Sequence, residues 1–173
     1  MTTSDGTDRS VVIWVAEGTW RASVDAALSL APAAARFTLL HVTAAEVAGA
    51  AHGAYAGLLG RGGRDPGERL DALGASSAAE LLDAAEARLG RRCERREIHG
   101  QAERAVVAAS AEADLLIVAR DGDGSRVGPK SLGRATRFVV DHAACPVLLV
   151  WPEPAPGVGT MPPPPHHPHR PGR

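Results

Sequence analysis

The chain has 173 residues, enough for one globular domain with a hydrophobic core but too few for two ordinary domains. Hydrophobic residues make up 45% and charged residues 23% of the chain, which excludes wholesale disorder. The formal net charge of −1 removes the electrostatic case for binding nucleic acid or an anionic membrane.

No segment approaches the roughly eighteen consecutive apolar residues of a membrane-spanning helix. The polar, acidic N-terminus differs from a secretory signal, so we expect a cytoplasmic protein. Cys93 and Cys145 are too few for a disulfide framework. Both are expected to be reduced thiols, and nothing in the sequence around Cys145 indicates a lowered pKa. Without a CxxC pair, no structural zinc site is expected.

The chain begins with a strand and a helix. Residues 11–16 form an apolar run rich in β-branched residues, typical of a strand covered on both faces. A turn follows, and a helix is predicted over 20–31. Its inward face is predicted from the helical spacing of Ala22, Ala26 and Leu30.

A second strand is predicted over 37–42. Residues 43–67 are rich in Ala and Gly and lack periodicity, which indicates either a mobile cover or a short helix. Apolar residues at helical spacing then predict a long helix over 68–89.

The rest of the chain alternates strands and helices. Strands are predicted at 92–98, 115–119 and 146–151, and helices at 101–111 and 134–142. Alternating apolar strands and amphipathic helices indicate parallel strands with right-handed crossovers. We therefore predict an α/β fold, namely a three-layer, doubly wound sheet of five parallel strands in the order 3-2-1-4-5. The charged third strand suits a sheet edge.

The globular domain is predicted to span residues 11–151, between a disordered N-terminus (residues 1–10) and a disordered tail (152–173). The tail is rich in proline and histidine, so it can neither bury apolar surface nor form a ladder. Its histidines are predicted not to preform a metal site. These are His166, His167 and His169.

Four segments of the domain resemble the universal stress protein family. They are LLHV at 39–42, Gly100 with the helix after it, DLLIVA at 114–119 and GRATRFVVDHAACPVLLV at 133–150. The last segment matches the closing helix and strand of the family almost position by position. The resemblance covers residues 11–151 and implies an adenine-nucleotide-binding α/β fold.

ATP-binding members of that family carry a loop of the form G-x2-G-x9-G-[ST]. Counted back from Gly133, its first two glycine positions fall on Arg120 and Asp123, and Arg134 replaces the hydroxyl residue. The loop therefore keeps its length, but three of its four motif residues differ.

The resemblance also implies where a nucleotide would lie. The base and ribose would contact Ala16, Glu17 and Val42 at the carboxyl ends of the first two strands. The phosphates would contact the loop and the helix after it, at Gly122, Gly124, Gly133, Arg134 and Thr136.

Physical reasoning about the loop points the same way. Glycines let the backbone approach a phosphate, and the following helix N-terminus adds positive potential. A β-branched residue at Gly124 is therefore predicted to weaken binding. Arg120, Arg126 and Lys130 would add suitable charge. The alternative is that these are solvated charges on a vestigial site.

For three other polar residues, a structural role is weighed against a functional one. Glu17 either accepts from a ribose hydroxyl or is a turn residue near a helix N-terminus. His41 is predicted to be a core histidine satisfied by one hydrogen bond. His142 is predicted to act structurally at a helix end.

No nucleophile–base constellation, GxSxG elbow, HExxH pair or Walker lysine in context is present. We therefore predict a non-enzymatic regulatory or sensor domain that binds ATP, AMP or another adenine nucleotide. The alternatives are an ATP-hydrolysing or phosphate-transferring enzyme of the same superfamily and an interaction module without a ligand.

The last strand predicts a homodimer. It is apolar on both faces and lies at the sheet edge in the predicted order, so its unpaired backbone groups invite a second copy. The resemblance implies the same arrangement. The residues concerned are Val147, Leu148, Leu149 and Val150. The alternative is a monomer in which residues 43–67 or the Pro-rich tail cover this edge.

Overall fold

The structure is a computed structural model, and it describes residues 9–44 and 66–163. Within these two ranges, five strands and four helices alternate. The strands are β1 (Ser10–Trp14), β2 (Arg36–Ala44), β3 (Cys93–Gly100), β4 (Leu115–Ala119) and β5 (Val147–Val150). The helices are α1 (Trp20–Leu30), α2 (Pro66–Leu89), α3 (Ala102–Ser110) and α4 (Arg134–His142).

The sheet confirms the predicted fold class and strand order. All five strands are parallel and run β3-β2-β1-β4-β5. In the centre, Val12 of β1 lies opposite Thr38 of β2 on one side and Leu116 of β4 on the other. The chain winds outward from β1 in one direction and then returns to β4, so the topological switch point lies between β1 and β4.

Helices cover both faces of the sheet because successive strand residues point to opposite sides. On one face, Val11 and Ile13 pack with α1 and α2. On the other face, Val12 and Trp14 pack with Val106 of α3 and with α4. The three predicted layers are therefore present.

The predicted inward face of α1 is wrong at Leu30, whereas Ala26 does pack against the core. Leu30 is 66% exposed, whereas Trp20, Val24 and Ala27 are buried in the core. Both sets of residues have helical spacing. The sheet selects the set with Trp20 and Val24 because it buries more apolar area than a face of alanines.

The ends of the domain extend slightly beyond the predicted boundaries. Strand β1 already includes Ser10, whose N–H donates to the Asp114 carboxylate at 2.8 Å. Within the predicted tail, residues 152–163 contain a 3-10 turn, Val158–Thr160. The Thr160 hydroxyl oxygen accepts from Val127 N–H at 3.0 Å, so this part of the tail is structured.

Several predictions lie outside the described residues. These concern residues 1–8, 45–65 and 164–173, which include the tail histidines. In the part of the chain that the structure describes, no helix combines the length and hydropathy needed to cross a membrane.

Candidate functional site

A cavity of about 440 Å³ opens at the carboxyl ends of β1 and β2. Ala16 and Glu17 line it from the β1–α1 turn, Val42 lines it from β2, and residues of α2 and the start of α3 close it. Its volume is within the usual range for small-molecule sites. The carboxyl ends of the strands are also where ligands bind in open α/β sheets. The three residues predicted to hold the base and ribose therefore share one cavity.

The β1–α1 turn positions Glu17 at this cavity. The Ala16 carbonyl accepts from the N–H groups of Thr19 at 3.2 Å and Trp20 at 3.0 Å. Gly18 adopts a φ of +76°, a left-handed conformation that favours glycine. The turn thereby reverses the chain and leaves the Glu17 side chain exposed beside the cavity.

His41 forms part of the cavity wall and ties β2 to β1. Its Nδ1 lies 2.8 Å from the Val15 carbonyl oxygen, and the side chain is buried. Because a carbonyl can only accept, Nδ1 carries the proton. The prediction of a core histidine with one hydrogen bond is confirmed.

Backbone hydrogen bonds join the two ends of the loop after β4. Gly122 N–H donates to the Ser131 carbonyl at 3.1 Å, and Asp123 N–H donates to the Lys130 carbonyl at 2.8 Å. A Cβ at Gly122 would lie 2.7 Å from the carbonyl carbon of Ser131 and closer still to the Lys130 oxygen. A Cβ at Gly124 would meet nothing within 4 Å. Within the loop itself, a side chain is therefore obstructed at Gly122 and not at Gly124, and the predicted loss of binding at Gly124 stays a prediction.

A carboxylate of the chain itself lies at the N-terminus of α4. Asp121 Oδ1 accepts from Gly133 N–H at 2.7 Å, and a Cβ at Gly133 would lie 2.6 Å from Asp121 Oδ2. The negative charge suits the positive end of the helix dipole. The N–H predicted to bind phosphate is therefore occupied, and sequence reasoning did not single out Asp121.

Two further residues predicted to contact phosphate lie away from the cavity at the ends of β1 and β2. Thr136 is buried, and its hydroxyl donates to the Ala119 carbonyl at 3.4 Å. Arg134 lines a separate cavity of about 400 Å³ between α3 and α4, which also includes Arg104 and Arg137. Neither residue lines the cavity at β1 and β2.

The three positive charges predicted to suit a phosphate have different surroundings. Arg120 donates to the Ser131 hydroxyl, and its guanidinium lies 4.5 Å from the centre of the Trp151 ring. Arg126 and Lys130 are exposed. Both help to lower the pKa of Asp123, although hydrogen bonds from Ser125 are the main cause.

The remaining histidine and the thiols have structural surroundings. His142 Nδ1 lies 2.9 Å from the Phe138 carbonyl oxygen, and its ring stacks on the Phe138 ring at 4.1 Å. Burial raises the pKa of Cys145, and it raises that of Cys93 as well. Reactive cysteines have lowered pKa values. These environments therefore favour structural roles.

A larger cavity, of about 730 Å³, lies at the amino ends of β1, β2 and β3. Its charged residues include Arg96, which is paired with Glu94 at 3.2 Å and Glu112 at 3.3 Å. This cavity lies at the amino ends of the strands, whereas ligands usually bind at the carboxyl ends. Among the described residues, no group of three or more His, Cys, Asp or Glu side chains is arranged to hold a metal ion.

Comparison with known proteins places this geometry in a family. Residues 18–150 match the universal stress protein family. No match to the chain was found among curated proteins.

Solved structures share the fold, including three universal stress proteins. The universal stress protein UspA from Lactobacillus plantarum is 18% identical, with a TM-score of 0.59, covering 84% of this chain and 99% of its own. A universal stress protein in complex with cAMP is 23% identical, with a TM-score of 0.52 and coverage of 84% and 98%. An Arabidopsis thaliana universal stress protein with AMP bound is 17% identical, with a TM-score of 0.51 and coverage of 83% and 92%. The family match spans most of the chain and the fold agrees with it, so the chain belongs to the universal stress protein family.

Proposed function

We propose that the protein is a regulatory protein that binds an adenine nucleotide in the cavity at the carboxyl ends of β1 and β2. The observation that carries this proposal is the cavity itself, which brings Ala16, Glu17 and Val42 together. The solved universal stress proteins with cAMP and AMP support an adenine nucleotide as the ligand class.

The cavity offers an apolar enclosure with polar groups at its margin. Val42 and Ala78 supply apolar walls for a base. The exposed Glu17 carboxylate can accept from ribose hydroxyls, as acidic residues do near strand ends in nucleotide-binding folds. The Thr43 hydroxyl donates to the Glu97 carboxylate at 3.3 Å, so it is oriented before a ligand enters.

Binding without turnover fits the side chains at the cavity. Phosphoryl transfer requires phosphates held in place and an oriented nucleophile. Of the titratable groups in the described cavity wall, Glu17 is exposed and His41 is committed to the Val15 carbonyl. A regulatory protein whose ligand changes its interactions is therefore favoured over a hydrolase.

A bulky side chain introduced into the cavity tests the proposal. Ser77 and Ser76 are neighbouring exposed residues of α2, but only Ser77 lines the cavity. We expect Ser77→Tyr to weaken AMP binding at least about tenfold in calorimetry because the ring fills the space of the base, a loss of about 1.4 kcal/mol. Ser76→Tyr should bind AMP like the wild-type protein.

Equal binding by the wild-type protein and Ser77→Tyr would contradict this placement of the ligand. No binding of AMP, cAMP or ATP by the wild-type protein would contradict the function. Release of phosphate from ATP above the uncatalysed rate would favour the enzymatic alternative.

We also infer that two copies pair through β5. This strand forms one edge of the sheet, and all four of its residues are half-buried. The carbonyls of Pro146 and Val150 accept from β4 and from the residue after it. Strand alternation therefore points the N–H of Leu149 outward. An unpaired apolar edge favours antiparallel pairing with a second copy.

Proline at the outward position tests this pairing. Leu149→Pro removes an N–H from the edge without removing a bond to β4. Leu149→Ala removes a similar part of the core packing but keeps the N–H. Light scattering at tens of micromolar should find a dimer for the wild-type protein and Leu149→Ala and a monomer for Leu149→Pro. A monomeric wild-type protein would refute the dimer.

A further inference from the structure

We propose that Asp121 makes the nucleotide site selective against polyphosphates, so that it takes an adenine nucleotide with one phosphate rather than ATP. This inference rests on the proposed function and narrows it to a ligand class. It depends on three features of the described residues, namely the position of the loop relative to the cavity, its hydrogen bonds and its charge.

The strand order fixes where a chain of phosphates would lie. A nucleoside in the cavity lies over the carboxyl ends of β1 and β2. Strand β4 is the other neighbour of β1, and Asp121 follows its last residue, Ala119, by two positions. Additional phosphates directed toward the switch point would therefore meet the β4–α4 loop and the N-terminus of α4.

At that place four backbone donors already have acceptors. The N–H groups of Gly122 and Asp123 donate to carbonyls of the same loop, Ser125 N–H donates to the Asp123 carboxylate at 2.9 Å, and Gly133 N–H donates to Asp121. A phosphate needs several such donors converging on it. A phosphate held by these four N–H groups would therefore break hydrogen bonds of the loop itself.

Charge acts in the same direction as hydrogen bonding. The Asp121 carboxylate lies against Gly133, where a Cβ atom would be 2.6–2.7 Å from its oxygens, so it takes the space as well as the N–H. The other carboxylate of the loop, Asp123, is held instead by the N–H and hydroxyl of Ser125, at 2.9 and 2.6 Å. The most suitable cation, Arg120, already donates to the Ser131 hydroxyl and lies over the Trp151 ring, while its buried Nε has no hydrogen-bond partner among the described residues.

Removing the carboxylate tests the proposal. Calorimetry would compare adenosine, AMP and ATP with the wild-type protein, Asp121→Ala and Asp123→Ala. The Asp123 variant removes the same charge from the same loop but leaves the Gly133 contact intact. The wild-type protein should bind AMP at least about tenfold more tightly than ATP. Asp121→Ala should improve the ATP affinity about tenfold while leaving adenosine unchanged, and Asp123→Ala should not.

A second variant frees the N-terminus of α4 from Asp121 without removing the carboxylate. In Gly133→Ala, the new methyl group would displace Asp121 from the helix N-terminus. This variant should also gain affinity for ATP relative to AMP. Circular dichroism would establish that each variant is folded.

Inorganic tripolyphosphate separates this inference from the proposed function, because it has no nucleoside. It should raise the melting temperature of Asp121→Ala but not that of the wild-type protein or Asp123→Ala. If no nucleotide binds but tripolyphosphate stabilises Asp121→Ala, the proposed function fails and the exclusion by Asp121 stands. Equal gains in ATP affinity for Asp121→Ala and Asp123→Ala would overturn the exclusion by Asp121. So would the absence of a gain in both Asp121→Ala and Gly133→Ala.

Discussion

Substituting Gly122 by alanine should destabilise the protein by forcing the β4–α4 loop open. The added Cβ would lie 2.7 Å from the carbonyl carbon of Ser131 and 2.9 Å from that of Leu132. Both are backbone atoms, so no side-chain rotation can relieve the overlap. The two segments of the loop must separate, which breaks the bonds Gly122 N–H to Ser131 and Asp123 N–H to Lys130.

The expected size of the effect follows from those two bonds. A hydrogen bond contributes about 1 kcal/mol net, so we expect Gly122→Ala to lower the free energy of unfolding by about 2 kcal/mol. For a domain of this size, that corresponds to a melting temperature lower by about 4–8 °C. Faster amide exchange at Gly122 and Asp123 should accompany it.

Gly124→Ala is the matched control because it adds the same methyl group two residues away. Its Cβ would meet nothing within 4 Å, so its free energy of unfolding should stay within about 0.5 kcal/mol of the wild-type value. Urea unfolding of both variants decides the question. Equal stability of Gly122→Ala and the wild-type protein, or equal losses in both variants, would refute the steric reasoning.

Two further predictions concern stability. Leu89 is 1% exposed and Leu30 is 66% exposed, so in urea unfolding Leu89→Ala should lose about 3 kcal/mol and Leu30→Ala less than about 0.5 kcal/mol; equal losses would refute this reading of the core. Arg88 of α2 binds Asp25 of α1 with two hydrogen bonds of 2.6 and 2.7 Å, which lower the pKa of Asp25. The pair therefore stabilises the fold above about pH 4, with the contribution lost as pH falls through the lowered pKa. Asp25→Asn should cost little at pH 7, because the pair is exposed, and progressively less as the pH falls through the lowered pKa of Asp25. A cost independent of pH would show that the charge is not responsible.

Much of the fold could be predicted from the sequence because it depends on local patterns. Strand β4 is a continuous apolar run, which only a strand covered on both faces can bury. The charges of β3 suit an edge, and β3 is an edge strand. Alternation with helices then leaves few topologies that satisfy right-handed crossovers. The segments that contribute Ala16, Glu17 and Val42 end at the same side of such a sheet, so their grouping was predictable as well.

The state of the loop depends on pairing that no local pattern specifies. Gly122 and Gly124 are equivalent as glycines in the sequence, but only Gly122 faces a neighbouring backbone. Asp121 is one acidic residue among many until α4 brings Gly133 N–H to it. The inward face of α1 was likewise not fixed by local pattern, because two sets of its residues have helical spacing. One set is Ala22, Ala26 and Leu30, and the other is Trp20, Val24 and Ala27.

The sequence by itself thus determined the α/β class, the strand order and the grouping of residues at the ends of β1 and β2. These follow from periodicity and chain connectivity, which are properties of neighbouring residues. Only the tertiary structure decided which donors remain free for a ligand. A backbone N–H can be satisfied by any acceptor that folding brings near it, and those of Gly122 and Gly133 find theirs about ten residues away along the chain.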